Sequence, residues 1–170
     1  YRGHLALNMG FGRLDFGRDV MHWGPGYYNN LTLNQFGLPF NSLSLELQVG
    51  PLSVISFYGD LRIYQNSMSM KNKDQRHLYG HRYELDLGNL TLGISEIQSV
   101  YDNNNAWLFV PIVPLFMEKG NYSENSNNGA LSFDANYRFL NMFRIYTEFF
   151  LDDMESPISL IRNDNAEAKW

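Results

Sequence analysis

Glu148, Asp152 and Asp153 lie close together near the end of the chain. Two carboxylates at a set separation are the equipment of glycoside hydrolysis. In an extended strand, however, Glu148 and Asp152 share one face and Asp153 takes the other. Arg138 and Arg144 have the parity of Glu148 and Asp152, so an ion-pair ladder is the simpler expectation and catalysis is not expected. His77 and His81 are four residues apart. On a strand that spacing is about 13 Å, too far to chelate one metal as two histidines on a helix do. The chain has no Cys, which removes thiolate zinc sites, disulfides and Cys nucleophiles. Gly10-Phe11-Gly12 reads as a hairpin turn and not as a phosphate cradle. No metal and no cofactor is expected.

The most distinctive string is Trp23-Gly24-Pro25-Gly26, followed by Tyr27 and Tyr28. Gly-Pro-Gly forces a tight, non-strand backbone. The rings beside it suit either a structural turn in a membrane-interface belt or a platform for stacking on sugars. Arg18, Trp23, Tyr27, Tyr28 and Arg82 are the candidate contacts for a saccharide.

The elements that must position these residues have a period of two. Eight strands are expected, running from Gly3–Asn8 to Phe143–Asp152. Leu14 and Phe16 oppose Arg13 and Asp15, and Leu43 to Val49 alternates throughout. In the fourth strand Ile55, Phe57 and Leu61 form the apolar face, with Tyr58, Asp60 and Arg62 on the polar one. Tyr83 and Leu85 oppose Arg82, Glu84 and Asp86, and Leu131 to Phe139 alternates with Ser132, Asp134, Asn136 and Arg138. The polar face thus collects Arg13, Asp15, Glu46, Asp60, Arg62, Arg82, Glu84, Asp86, Asp134, Arg138, Arg144, Glu148 and Asp152, five positive and eight negative residues. A dry core could not bury them without a heavy desolvation cost. A wet lumen could, by pairing opposite charges on neighbouring strands. The opposite face is apolar and aromatic, with no amphipathic helix available to cover it, so it must meet another sheet or lipid.

The connections decide between these. Met9-Gly10, Gly50-Pro51, Gly88-Asn89 and Leu140-Asn141 are tight, whereas 19–41, 65–77 and 101–129 are long. Short turns on one side and long loops on the other mark an outer-membrane β-barrel. A Greek-key sandwich has no reason to alternate in this way. The expected fold is therefore all-β, an antiparallel up-and-down transmembrane barrel. The 170 residues supply about eight strands of a larger barrel, in a single segment that reads as cut at both ends. No stretch approaches the ~20 apolar residues of a membrane helix. A net charge of −5 with no basic run excludes nucleic acid as a partner. Trp107-Leu-Phe-Val-Pro-Ile-Val-Pro-Leu-Phe-Met117 is apolar, but Pro111 and Pro114 keep it out of a central strand. It reads equally as a lumen plug or mouth cap and as a kinked edge strand.

Several strings, in order, resemble the capsule assembly protein Wzi family. They are Gly17-Arg18, Trp23-Gly-Pro-Gly26, Leu33-Asn-Gln-Phe-Gly-Leu-Pro39, Gly80-His-Arg82, Leu92-Gly-Ile-Ser-Glu96 and Ile145-Tyr-Thr-Glu-Phe-Phe-Leu-Asp-Asp153. Loop lengths and the wording of 33–40 depart from the proteobacterial pattern and suggest a distant branch. The resemblance implies a non-catalytic protein of the bacterial outer membrane that assembles or anchors capsular or extracellular polysaccharide. The implied partners are that polysaccharide, outer-membrane lipid and the polysaccharide export machinery. A second reading is a porin or export channel on the same architecture. A third is a soluble β-sandwich carbohydrate-binding module.

Overall fold

The computed structural model describes residues 1–62, 75–101, 106–111, 114–115, 127–140 and 142–152. It contains the strands β1 (Gly3–Asn8), β2 (Gly12–Asp19), β3 (Phe40–Val49), β4 (Leu52–Arg62), β5 (Gln75–Asp86), β6 (Leu90–Tyr101), β7 (Asn127–Phe139) and β8 (Phe143–Asp152). Each is paired antiparallel with the next, in the order β1 to β8, in one sheet. The architecture is the expected all-β, up-and-down arrangement. β5, β6 and β7 run further from the short turns than the alternation of side chains suggests.

All four short connections contain a residue with positive φ. Gly10, Gly50 and Gly88 have φ of 80°, 60° and 84°. The fourth turn uses Leu140 at φ 52°, a left-handed conformation that is strained for a branched side chain.

The register carries a stagger. Along one hydrogen-bonded row, Arg13 pairs with Glu46, Glu46 with Ile55, Ile55 with Arg82, Arg82 with Ser95, Ser95 with Ser132 and Ser132 with Phe150. Arg13 is the second residue of β2, and Phe150 is the eighth of β8. The row therefore climbs about one residue per strand, a tilt of about 35° at ordinary strand rise and spacing. This is the tilt of strands in a barrel wall. β1 and β8 are not neighbours in the sheet, so these eight strands form an open arc of such a wall.

Residues that pair share a face. One face, here called inner, carries Arg13, Asp15, Glu46, Arg82, Glu84, Asp134, Arg144 and Glu148. The outer face carries Leu14, Phe16, Leu43, Leu45, Leu47, Val54, Tyr83, Leu85, Ile94, Phe133, Ile145 and Phe149. β4 departs from the expected phase. Ile55 pairs with Glu46 and Arg82, and Phe57 with Ser44 and Gly80, so both face inward. Ser56, Tyr58, Asp60 and the backbone position of Arg62 face outward. Alternation separates two faces but does not say which one turns in. In β4 the apolar set turns in because a loop brings apolar cover to it.

Two small apolar clusters result, one on each side of the sheet. On the inner side, Trp23 packs edge-on against Phe57 at 5.0 Å, with Phe40 beside it. On the outer side Tyr79, Val100, Leu108 and Leu115 pack together against Tyr58. The proline-containing segment is thus neither a lumen plug nor an edge strand in its described residues. Ala106–Phe109 is a 3-10 turn, and with Leu115 it lies against the outer face of β4 to β6.

Candidate inner-face saccharide site

The segment between β2 and β3 folds back over the inner face. Its start is fixed by the WGPG turn. The Asn30 carboxamide oxygen accepts from Gly26 N–H at 2.6 Å, and its nitrogen lies 2.6 Å from His22 Nε2. A Cβ on Gly26 would collide with Asn29 O, so the turn closes only around glycine. Trp23 N–H donates to Leu33 O at 3.0 Å, which ties the two arms of the loop together.

Three anchors hold the loop to the sheet. The first is the Trp23 ring, 7% exposed, seated on Phe57 and over Gly80. Any side chain on Gly80 would overlap the Phe57 ring and press on Trp23. The second is Glu148 of β8. Its carboxylate accepts from Leu31 N–H at 2.8 Å, Thr32 N–H at 3.0 Å and Thr32 Oγ1–H at 2.7 Å. Thr32 Oγ1 also lies 2.7 Å from Ser132 Oγ. The third is Arg144, which donates to Pro25 O at 2.7 Å and to Asn136 Oδ1 at 2.7 Å. One loop thereby touches β4, β5, β7 and β8, which requires the sheet to curl towards this face.

Beneath the loop lies a buried charge network. Arg82, 4% exposed, makes a two-point contact with Asp134 at 2.6 and 3.1 Å. It also donates to Glu84 at 2.9 Å and to Ser95 Oγ at 2.9 Å. Arg82 is on β5 and Asp134 on β7, so the contact spans β6 at Gly93. A Cβ there would come within 2.5 Å of both Arg82 Nη2 and Asp134 Oδ2. The absence of a side chain on Gly93 opens the space for the pair, and the fork geometry of the guanidinium satisfies both carboxylate oxygens.

The expected site residues therefore separate. Tyr27 and Tyr28, 68% and 69% exposed, meet edge to face at 4.8 Å and present free ring faces. Trp23 and Arg82 are buried and hold the loop and the wall. Arg18 is exposed, but on the outer face at the upper end of β2, 3.4 Å from Asn41 Oδ1. Of the expected ion-pair network, Arg13 pairs with Asp15 at 2.7 Å and Arg82 with Asp134 and Glu84. Asp60 faces outward, away from them, and the Arg62 side chain lies outside the described residues. Arg138 pairs in register with Arg144, not with a carboxylate. Glu148 binds the loop, and Asp152 faces inward opposite Ala130 at the upper end of β8. Asp153 lies outside the described residues.

Sequence reading passed over Asn30, Thr32 and Ser132. Short polar residues in an Asn-rich loop carry no mark of the distant strand they bind. Gly93 had one signal, a glycine on the polar face between charged neighbours, which often marks close approach.

Neither the curated proteins nor the solved structures yield a match to this chain. The family profile described as capsule assembly protein Wzi matches residues 1–167. The one-residue stagger, the short–long rhythm of connections and the apolar outer face agree with the outer-membrane barrel of that family. The chain belongs to the capsule assembly protein Wzi family, and its place is in the bacterial outer membrane.

Proposed function

We propose that this part of the barrel holds capsular polysaccharide at the outer mouth by binding, without making or breaking bonds. The Tyr27–Tyr28 pair carries this reading. Two ring faces stand free on a loop whose backbone is held by Glu148, Arg144 and the Trp23 seat. Rigid aromatic faces lose little entropy when a sugar ring stacks on them, and the phenol hydroxyls supply hydrogen bonds at the edge. Glu148, which would be the obvious acid, has both carboxylate oxygens engaged by the loop. Trp23 and Arg82 act as positioning residues beneath the platform.

The test replaces Tyr27 and Tyr28 together by Ala in the complete protein and measures capsule retained on cells. Retention should fall while heat-modifiable gel mobility, which reports barrel insertion, stays unchanged. Wild-type retention in the inserted double variant overturns the proposal.

A further inference from the structure

The outer face of the wall is interrupted. Seven residues above the short turns, β3 presents Leu43, β7 Phe133 and β8 Phe149. At the same height the strands between them present Tyr58, His81 and Glu96. Ser56 and Gln98 extend this polar window below and above. Ser56, His81, Glu96 and Gln98 are buried, and the described residues 106–111 and 114–115 lie against this part of the face.

The segment turns its polar backbone towards the window. Ser56 Oγ–H donates to Phe109 O, Tyr83 O–H donates to Pro111 O, and Glu96 accepts from Leu115 N–H at 2.7 Å. Val110 N–H is satisfied within the turn by Trp107 O. Leu108 and Leu115 point into the wall, whereas Trp107 is 71% exposed on the far side. Irregular backbone survives at membrane depth only where protein groups satisfy it. The polar window does this for the segment, and the segment closes the gap in the apolar face.

We infer that residues 106–111, with 114 and 115, form a strap on the outside of the barrel that faces lipid, with Trp107 immersed in the outer leaflet. Its occupant is lipid because it continues the apolar surface presented by Leu43, Phe133 and Phe149 at the same height. The strap also gives the glutamate on this lipid-facing wall a partner in Leu115 N–H, where an unpaired charge is costly.

The chain has no Cys, so single cysteines can be introduced for spin labels. Trp107→Cys is labelled in the complete protein in phospholipid vesicles, with Phe149→Cys as the lipid-facing reference and Tyr27→Cys as the aqueous one. Collision with oxygen should exceed collision with a nickel chelate several-fold at position 107, as at 149, and the ratio should reverse at 27. Nickel access at 107 resembling that at 27 places the strap in water and overturns the inference. Shielding from both reagents places a protein partner there, such as a second copy, and also overturns it. If Trp107→Cys fails to insert, Ala106→Cys reads the same surface, since that residue is also exposed.

Discussion

Two loop segments lie on opposite sides of one strand, and they are held by different chemistry. The inner loop, between β2 and β3, is tied down by ionised groups, Glu148 and Arg144, over the buried Arg82–Asp134 pair. The outer strap is tied by Ser56, Tyr83 and Glu96 to backbone atoms and by Leu108 and Leu115 to an apolar cluster. On β5 the two systems interleave residue by residue. Gly80 seats the inner loop and Arg82 the inner ion pair, while Tyr79 and Tyr83 serve the strap. Both systems end on backbone atoms, but the inner one draws on a buried ion pair and the outer one on the apolar packing of Leu108 and Leu115.

Substitutions on either side of β5 can break this contrast. The largest effect is expected for Arg82→Ala. It strands Asp134 in a site that excludes water, and breaking a buried pair from one side costs about 3–5 kcal/mol. Urea titration of the inserted barrel should show this loss of stability, and loss below 1 kcal/mol would mean that water reaches the pair. Glu148→Ala should come next. It removes the acceptor for three donors of the loop, at about 1–3 kcal/mol for the groups left unpaired. Planar-bilayer conductance of the complete protein should rise as the loop leaves the lumen. Unchanged conductance would show that this loop does not limit the channel.

Gly80→Ala should cost about 1–3 kcal/mol by overpacking Phe57 and Trp23. Trp23 emission should shift to the red in the same variant, and unaltered emission would place the ring elsewhere. Tyr83→Phe is the matching change on the outer side. It removes one neutral hydrogen bond to Pro111 O, worth about 1 kcal/mol, and should leave conductance at the wild-type level. A conductance change there would join two systems that the geometry separates. The smallest effect is a gain. Leu140→Gly removes a left-handed leucine from an exposed turn and should stabilise the barrel by about 1 kcal/mol in the same titration.

Much of the fold was legible in the residues because a strand in a barrel wall is a local pattern. Leu131 to Phe139 alternates without a break, Phe143 to Asp152 departs only at Thr147 and Phe150, and the four tight turns carry their own glycine or asparagine. β4 was not legible. Its seven-residue run from Ser53 to Gly59 contains large side chains of both parities, and only pairing with Glu46 and Arg82 shows that Ile55 faces in. The site was legible in part. The Trp23-Gly-Pro-Gly26 turn and the two tyrosines stand out by type, but that Trp23 is buried and Tyr27 free depends on Phe57 and Gly80, which are distant in the chain. The outer strap was the least legible. An apolar segment with two prolines has no period, so nothing local states which side of the sheet it will cover.

The reach of the inner loop has a consequence for the order of assembly. Strand pairing in this sheet is between sequence neighbours, so hairpins can add one after another with little loop entropy to overcome. The contacts of Leu31 and Thr32 with Glu148, and of Pro25 with Arg144, join residues 116 to 119 positions apart. They cannot form until β8 is in place. During folding the loop therefore stays unlatched while β3 to β7 are built beside it, and it closes over the inner face only after β8 has paired.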